Sequence, residues 1–372
     1  MSNKVTILGS GFGLGFYVPG LLINYRLKDK GIDSEVLIFE KYVIEDKRDK
    51  IALNKKTYHQ NFSLALVAER MPWDIRKSID NDMVEQLLNT WEKENRSNFI
   101  VMSGHWIYIL DEYRKRINNQ SINVDILYID AEPSPSWKGL NKYNPKYSED
   151  YDERFIFNEE KEEISYYVPV GSEEPILFKE RENRFMIHGG GWGMGTYQEK
   201  IHELEENGLK LDIIAYKEDE VGDEENGHRY FMMDPVWQAW SGNEFIFPPF
   251  AQVKRDVTPN FKTKEEYHSS FDVLRNAKAV ISKPGGGTLI DSLAAATPMI
   301  LLEPFGHHEK INADLWVKLG LGIRYETWEE SGFKLDIFEG MHENLVKQRN
   351  NAINYVDEYI NKLVRNSESK VM

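Results

Sequence analysis

The sequence predicts an α/β protein made of two Rossmann-like, doubly wound parallel-sheet domains that face each other across a cleft. Three observations predict it. Short apolar runs alternate with amphipathic stretches, and a strand–glycine turn–helix passage opens each half of the chain. The third is length: 372 residues exceed what one ordinary core organises, so two domains are expected. Their expected bounds are 1–178 and 183–345, with a C-terminal helix and tail over 346–372.

In the first half, residues 5–8 (VTIL) read as a buried strand, 9–15 as a glycine-rich turn and 19–27 as the start of a helix. A second strand spans 35–39, with Glu40 just past its end. Residues 78–94 read as an amphipathic helix. Residues 99–103 form a strand that runs into Gly104-His105-Trp106 and a helix to about 117. The strand at 124–129 ends in Asp130-Ala131-Glu132. The pattern breaks over 143–179, where Glu, Asp, Tyr and Pro predict a hairpin and a linker.

The theme restarts with a strand at 184–187, a second glycine turn at 188–195 (HGGGWGMG), a helix at 196–207 and a strand at 211–216. Residues 217–229 read as an acidic solvated loop. A strand at 245–250 and a helix at 267–276 follow. Residues 282–313, SKPGGGTLIDSLAAATPMILLEPFGHHEKINA, are the most informative segment. A strand (279–281) enters a Pro-Gly-Gly-Gly-Thr turn that opens a helix with Asp291 in its first turn; a strand (299–302) and a polar loop (303–310) follow. One long helix, 341–365, places Leu345, Ala352, Ile353, Val356, Ile360, Leu363 and Val364 near one stripe.

Composition narrows the function. Hydrophobic residues at 41% exclude a disordered chain, and no apolar run approaches the roughly 18–20 residues of a membrane span. A net charge of −15 argues against nucleic acid and stable membrane association, both of which need basic patches. Without cysteine there is no disulfide or thiolate metal site, and the absence of a signal segment predicts a cytoplasmic location. A phosphate site must therefore be local. Unpaired amides at a helix N-terminus supply one, at the carboxyl end of a parallel strand.

These residues resemble the donor signature of glycosyltransferases of the two-Rossmann-domain (GT-B) architecture. The similar group holds UDP-glycosyltransferases of small molecules, antibiotic glycosyltransferases and the peptidoglycan N-acetylglucosaminyl transferase. Gly285, Gly287, Thr288, Asp291, Pro298, Pro304 and Asn312-Ala313 fall in register. Lys283 stands where the family has a phosphate-binding His, and His308-Glu309 replace its Asp-Gln pair. The resemblance implies that Lys283 and the amides of Gly286, Gly287 and Thr288 hold the diphosphate. It gives Asp291 the ribose diol, Glu309, Asn312 and His308 the hexose, and Gly190 and Gly191 the opposite side of the diphosphate. It implies transfer of a hexose from a nucleotide sugar, UDP-linked, to a hydroxyl or amine of a small, partly apolar acceptor. The transfer is inverting and needs no metal or cofactor, as in natural-product biosynthesis. The last helix is implied to brace the first domain.

The family's base, a His after the first glycine turn, is replaced by Phe16. The remaining candidates are His105, Asp130 and Glu132 at strand ends and His59 in a segment read as an irregular loop; a neutral His suits general-base work near neutral pH. Gly11, Phe12, Gly13, Phe16 and Tyr17, with Trp106 and Trp137, are expected to line the acceptor side. Two alternatives stay open. A sugar-nucleotide 2-epimerase or a catalytically silent homologue would share the fold. An NAD- or FAD-dependent oxidoreductase would use the 9–15 turn with Glu40, although Leu14 breaks that fingerprint.

Overall fold

The computed structural model describes residues 4–69, 74–118, 120–223, 227–242 and 244–368. In the first half, β1 (Val5–Gly9) leads into α1 (Leu14–Asp29) and β2 (Ser34–Ile38), then α2 (Glu45–Gln60), α3 (Phe62–Glu69) and α4 (Asn81–Lys93). β3 (Asn98–Val101), α5 (Ile107–Arg116), β4 (Asn123–Tyr128), α6 (Pro135–Tyr143) and β5 (Asp152–Phe155) complete it. The strands form one parallel sheet ordered β2-β1-β3-β4-β5. A short hairpin, β6 (Phe157–Asn158) with β7 (Glu163–Ile164), and the short β8 (Tyr166–Tyr167) lead out of it.

The second half contains β9 (Phe185–His188), α7 (Tyr197–Glu206), β10 (Leu211–Ala215), β11 (Arg229–Met233), β12 (Phe250–Val253), α8 (Ser270–Asn276) and β13 (Ala279–Ser282). It continues through α9 (Gly286–Ala295), β14 (Met299–Leu301), α10 (Gly306–Lys318), β15 (Gly322–Arg324), α11 (Tyr325–Glu330) and α12 (Ile337–Asn351). Its sheet runs β12-β11-β10-β9-β13-β14-β15, parallel except for the β12 edge. The fold is therefore the paired doubly wound α/β architecture expected. Each sheet has its own outer core, and one shared core joins α1 to α9, the two helices that leave the glycine turns. No helix among the described residues is long and apolar enough to cross a membrane.

Several elements differ from the expectation, each for a tertiary reason. α1 starts at Leu14 and carries Pro19 inside it rather than starting there. α2 and α3 replace the irregular loop; α2 buries only Ile51, so it has no apolar stripe to betray it. Residues 245–249 form no strand, and the strand begins at Phe250. β11, β5 and α6 were not foreseen. Residues 306–310 open α10 instead of a loop. The acidic segment contains a single turn at Glu218–Glu220, and its residues 224–226 lie outside those described. The long last helix is broken at Ala352, where β16 (Ile353–Asn354) pairs with β8, and α13 (Tyr355–Glu368) continues at a new angle; residues 369–372 of the tail lie outside those described.

α13 returns to the first sheet. Lys362 pairs with Asp125, a β4 residue that is 1% exposed, and with Asp152 at 2.6 Å; Tyr355 reaches Asp125 at 3.3 Å. Burial pushes the Asp125 carboxyl above its ordinary range. Removing one partner of such a pair strands the other charge. Lys362→Met is therefore expected to cost about 3–5 kcal/mol in denaturant unfolding at pH 8. The loss should shrink as the pH falls and Asp125 takes a proton, and in Asp125→Asn/Lys362→Met.

Candidate functional site

The carboxyl ends of both sheets face one cleft of ≈ 1230 Å³. Its walls are close because glycines let the backbones approach. A Cβ on Gly287 would lie 3.2 Å from Gly15 Cα, and one on Gly191 would fall 2.3 Å from Leu14. Both glycine turns of the second half thus touch the glycine turn of the first.

On the second-domain wall stand Gly190, Gly191, Lys283, Gly285, Gly286, Gly287, Thr288, Asp291, His308 and Glu309. Lys283 Nζ donates to Glu309 Oε1 at 2.5 Å, and Glu309 Oε2 accepts the Phe305 amide at 2.6 Å. The amides of Gly287 and Thr288 have no hydrogen-bond partner among the described residues. Asp291 lies in the second turn of α9 rather than the first, so it does not cap the helix. Its carboxyl lines the cleft with no hydrogen-bond partner among the described residues, and burial pushes it up to about 7.

Two residues assigned to the donor are spent elsewhere. Asn312 is fully buried and outside the cleft lining. Its Nδ2 donates to Asp130 Oδ1 at 2.8 Å and to Pro284 O at 2.9 Å, and its Oδ1 accepts the Ala131 amide at 2.8 Å. The Gly286 amide donates to the same Asp130 oxygen at 3.1 Å. Asn312 therefore cannot reach a hexose, and Gly286 offers no free amide to a diphosphate. Both clamp β4 to the start of α9.

The base candidates separate in the same way. Asp130 is held in that clamp, although burial raises its pKa. Glu132 stands outside the cleft lining, paired with His307 at 2.6 Å and Lys138 at 3.0 Å. His59 belongs to α2 and lines the cleft, but its Nδ1 contacts Gly193 O at 2.7 Å and its Nε2 Glu220 at 2.5 Å. Both ring nitrogens are therefore already engaged by protein partners, and neither is left to take a proton from an acceptor hydroxyl. His105 remains. It lines the cleft against Phe39 (5.0 Å), its Nδ1 has no partner, and burial pulls it down to about 4, leaving the imidazole neutral.

On the expected acceptor side, Phe12, Gly13 and Phe16 line the cleft. Trp106 does not: it is fully buried, donates to Gly9 O at 2.6 Å and packs on Phe39 and Tyr42, and Trp137 is core as well. Tyr17 is also core and bonds Ile246 O at 2.9 Å, bracing α1 on the second domain. Gly11 lies outside the lining, and its amide donates to Glu40 at 2.6 Å. The other Glu40 oxygen accepts from Ser10 at 2.6 Å, so the acid needed for a dinucleotide ribose is already occupied. Sequence reasoning missed Lys55, Ser103, Ser134 and His268 in the lining. Had α2 been recognised, Ile51, Lys55 and Tyr58 at i, i+4 and i+7 would have marked one face.

No protein-family model matches the chain, and no curated protein sequence matches it. Solved structures do. The glycosyltransferase SsfS6 of Streptomyces sp. SF2575 is similar at 12% identity and a TM-score of 0.53, over 97% of this chain and 99% of that one. Spinosyn rhamnosyltransferase SpnG is similar at 12% identity and 0.55, over 97% and 99%. Glycosyltransferase VinC, solved in complex with dTDP, is similar at 10% identity and 0.53, over 98% and 100%.

Asp291 gives the cleft a measurable signature. A carboxyl whose folded pKa is raised to about 7 is harder to ionise folded than unfolded, so it costs stability progressively from about pH 4 to pH 7. Asp291→Asn should melt higher than the parent at pH 8 and together with it at pH 4. The chain has the two-Rossmann-domain fold of these glycosyltransferases, with its cleft where the two sheets end.

Proposed function

We propose that the protein is a glycosyltransferase that moves a hexose from a nucleoside diphosphate sugar to a small acceptor, with inversion and without a metal. One observation carries the reading. Lys283, the free amides of Gly287 and Thr288, and the unpartnered Asp291 carboxyl all face one interdomain cleft. Amides and an ammonium suit a leaving diphosphate, and a carboxylate suits a ribose diol. His308, whose Nδ1 is buried without a partner, and Glu309 would meet the hexose. The donor domain would comprise residues 183–345, and the first domain, with α13, the acceptor side.

The donor is a UDP-sugar in this reading; a dTDP-sugar is the second candidate, because SsfS6 and VinC were both solved with thymidine diphosphate. A thermal-shift panel of UDP, dTDP, GDP and NAD separates these. UDP or dTDP should raise the melting temperature; stabilisation by NAD alone would sink the assignment. Asp291→Ala should weaken the stabilising nucleotide by roughly 1–3 kcal/mol, as an unmet polar partner does.

His105 is the base in this reading, since it is neutral, faces the cleft and has a free ring nitrogen. His105→Ala should lower kcat by about 10²–10⁴ while nucleotide affinity holds. Near-normal turnover would remove His105 from the chemistry.

A further inference from the structure

Five lysines line the cleft: Lys55, Lys56, Lys138, Lys217 and Lys283. Three have a carboxylate close by: Lys138 on Glu132 at 3.0 Å, Lys217 on Asp219 at 2.8 Å and Lys283 on Glu309 at 2.5 Å. Lys56 is exposed to water. Lys55 differs from all of them. It is half-buried, and its ammonium makes no hydrogen bond or ion pair among the described residues. The ammonium lies over the face of the Tyr216 ring, 5.5 Å from its centre.

Tyr216 also meets the His59 ring at 4.1 Å and donates its amide to Glu220 at 2.8 Å; beyond that polar pair the wall carries apolar groups. Lys55 rises from α2 one turn after Ile51 and shares the cleft lining with Tyr58, Ala65, Phe12 and Trp192. Tyr58 stacks on Trp192 at 6.0 Å, and Phe12 meets the same indole at 4.4 Å. An ammonium in such a wall loses hydration, and a ring face returns only part of what is lost. Burial accordingly pulls its pKa down to about 8. A ligand anion would restore the missing partner, and the flat rings beside it would cover an apolar body.

We propose that Lys55 receives an oxyanion, a carboxylate, carried by a flat apolar acceptor that packs on Tyr58, Trp192 and Phe12. This rests on the glycosyltransferase reading and narrows the acceptor class. The donor diphosphate is the other source of an oxyanion, but Lys283 and the free amides serve it from the opposite domain.

The test uses the full chain and three probes: 6-hydroxy-2-naphthoate, its methyl ester, and UDP, each titrated to equilibrium. The parent should bind the carboxylate about tenfold or more tighter than the ester, as a charge-assisted hydrogen bond provides. Lys55→Met should erase that preference and leave UDP affinity unchanged, whereas Lys55→Arg should keep it. No preference in the parent, a preference that survives Lys55→Met, or a loss confined to UDP would each overturn the proposal. If neither UDP nor dTDP binds the parent, the glycosyltransferase reading fails alone, and the carboxylate–ester pair still decides the role of Lys55.

Discussion

The arrangement of the cleft depends on one buried carboxylate. Asp130, at the end of the fourth strand, accepts from the Gly286 amide and from Asn312, while the neighbouring Ala131 amide donates to Asn312 Oδ1. A carboxylate removed from water is costly unless donors surround it. Here the N-terminus of α9 provides a donor and a favourable dipole, so the cost is offset only while the two domains stay together. The contact leaves no room for a side chain: a Cβ at Gly286 would sit 2.6 Å from Ile129 O. The triple-glycine turn therefore has two duties. Gly286 joins the domains, and the next two residues keep their amides free.

That division explains which polar groups are left for a ligand. Buried polar atoms are ordinarily satisfied. Ser103, His105, Ser134, His268 and His308 all line the cleft and all carry a buried side-chain atom without a partner. Three of them follow the third and fourth strands of the first domain, where the Gly104 amide donates to the Ser136 hydroxyl at 3.3 Å. Asp130, Asn312 and Glu132, which are similar in chemistry, are consumed by protein partners. The difference between the two sets is positional: satisfied groups bridge the domains, and orphaned groups stand back from the bridge.

The same physics set how much could be read from the sequence. Both strand–glycine turn–helix passages were legible because buried parallel strands are short continuous apolar runs and glycine punctuates them. Asp291 and Lys283 came from the donor signature that the segment resembles, and both line the cleft. Asn312 was misassigned because the same spacing serves a ligand contact or an interdomain one, and only the partners at 2.8–2.9 Å distinguish them. α2 was invisible because it is pinned by Ile51 and the His59 ring rather than by a periodic stripe, so Lys55 and Tyr58 went unnoticed with it. The break at Ala352 has no glycine or proline to signal it. It exists because Ile353 donates to Ser165 O at 3.2 Å, a bond made by residues far apart in the chain.

Electrostatics give the cleft its last constraint. A chain of net charge −15 cannot draw in a diphosphate through its overall field, so recognition has to operate at contact range. The Lys283–Glu309 pair fits that requirement. Glu309 is fixed a second time by the Phe305 amide, so it need not move when a phosphate arrives. An ammonium has three donors, and the carboxylate uses one, which leaves the others for phosphate oxygens. Lys283 is thereby held beside Gly285 and Gly190, its Nζ 3.4 and 3.9 Å from where their Cβ atoms would stand, and the paired acid spares it the cost of standing desolvated and alone. Lys55 has no such acid. Within one cleft, Lys283 has its anion from the protein, whereas Lys55 has none among the described residues.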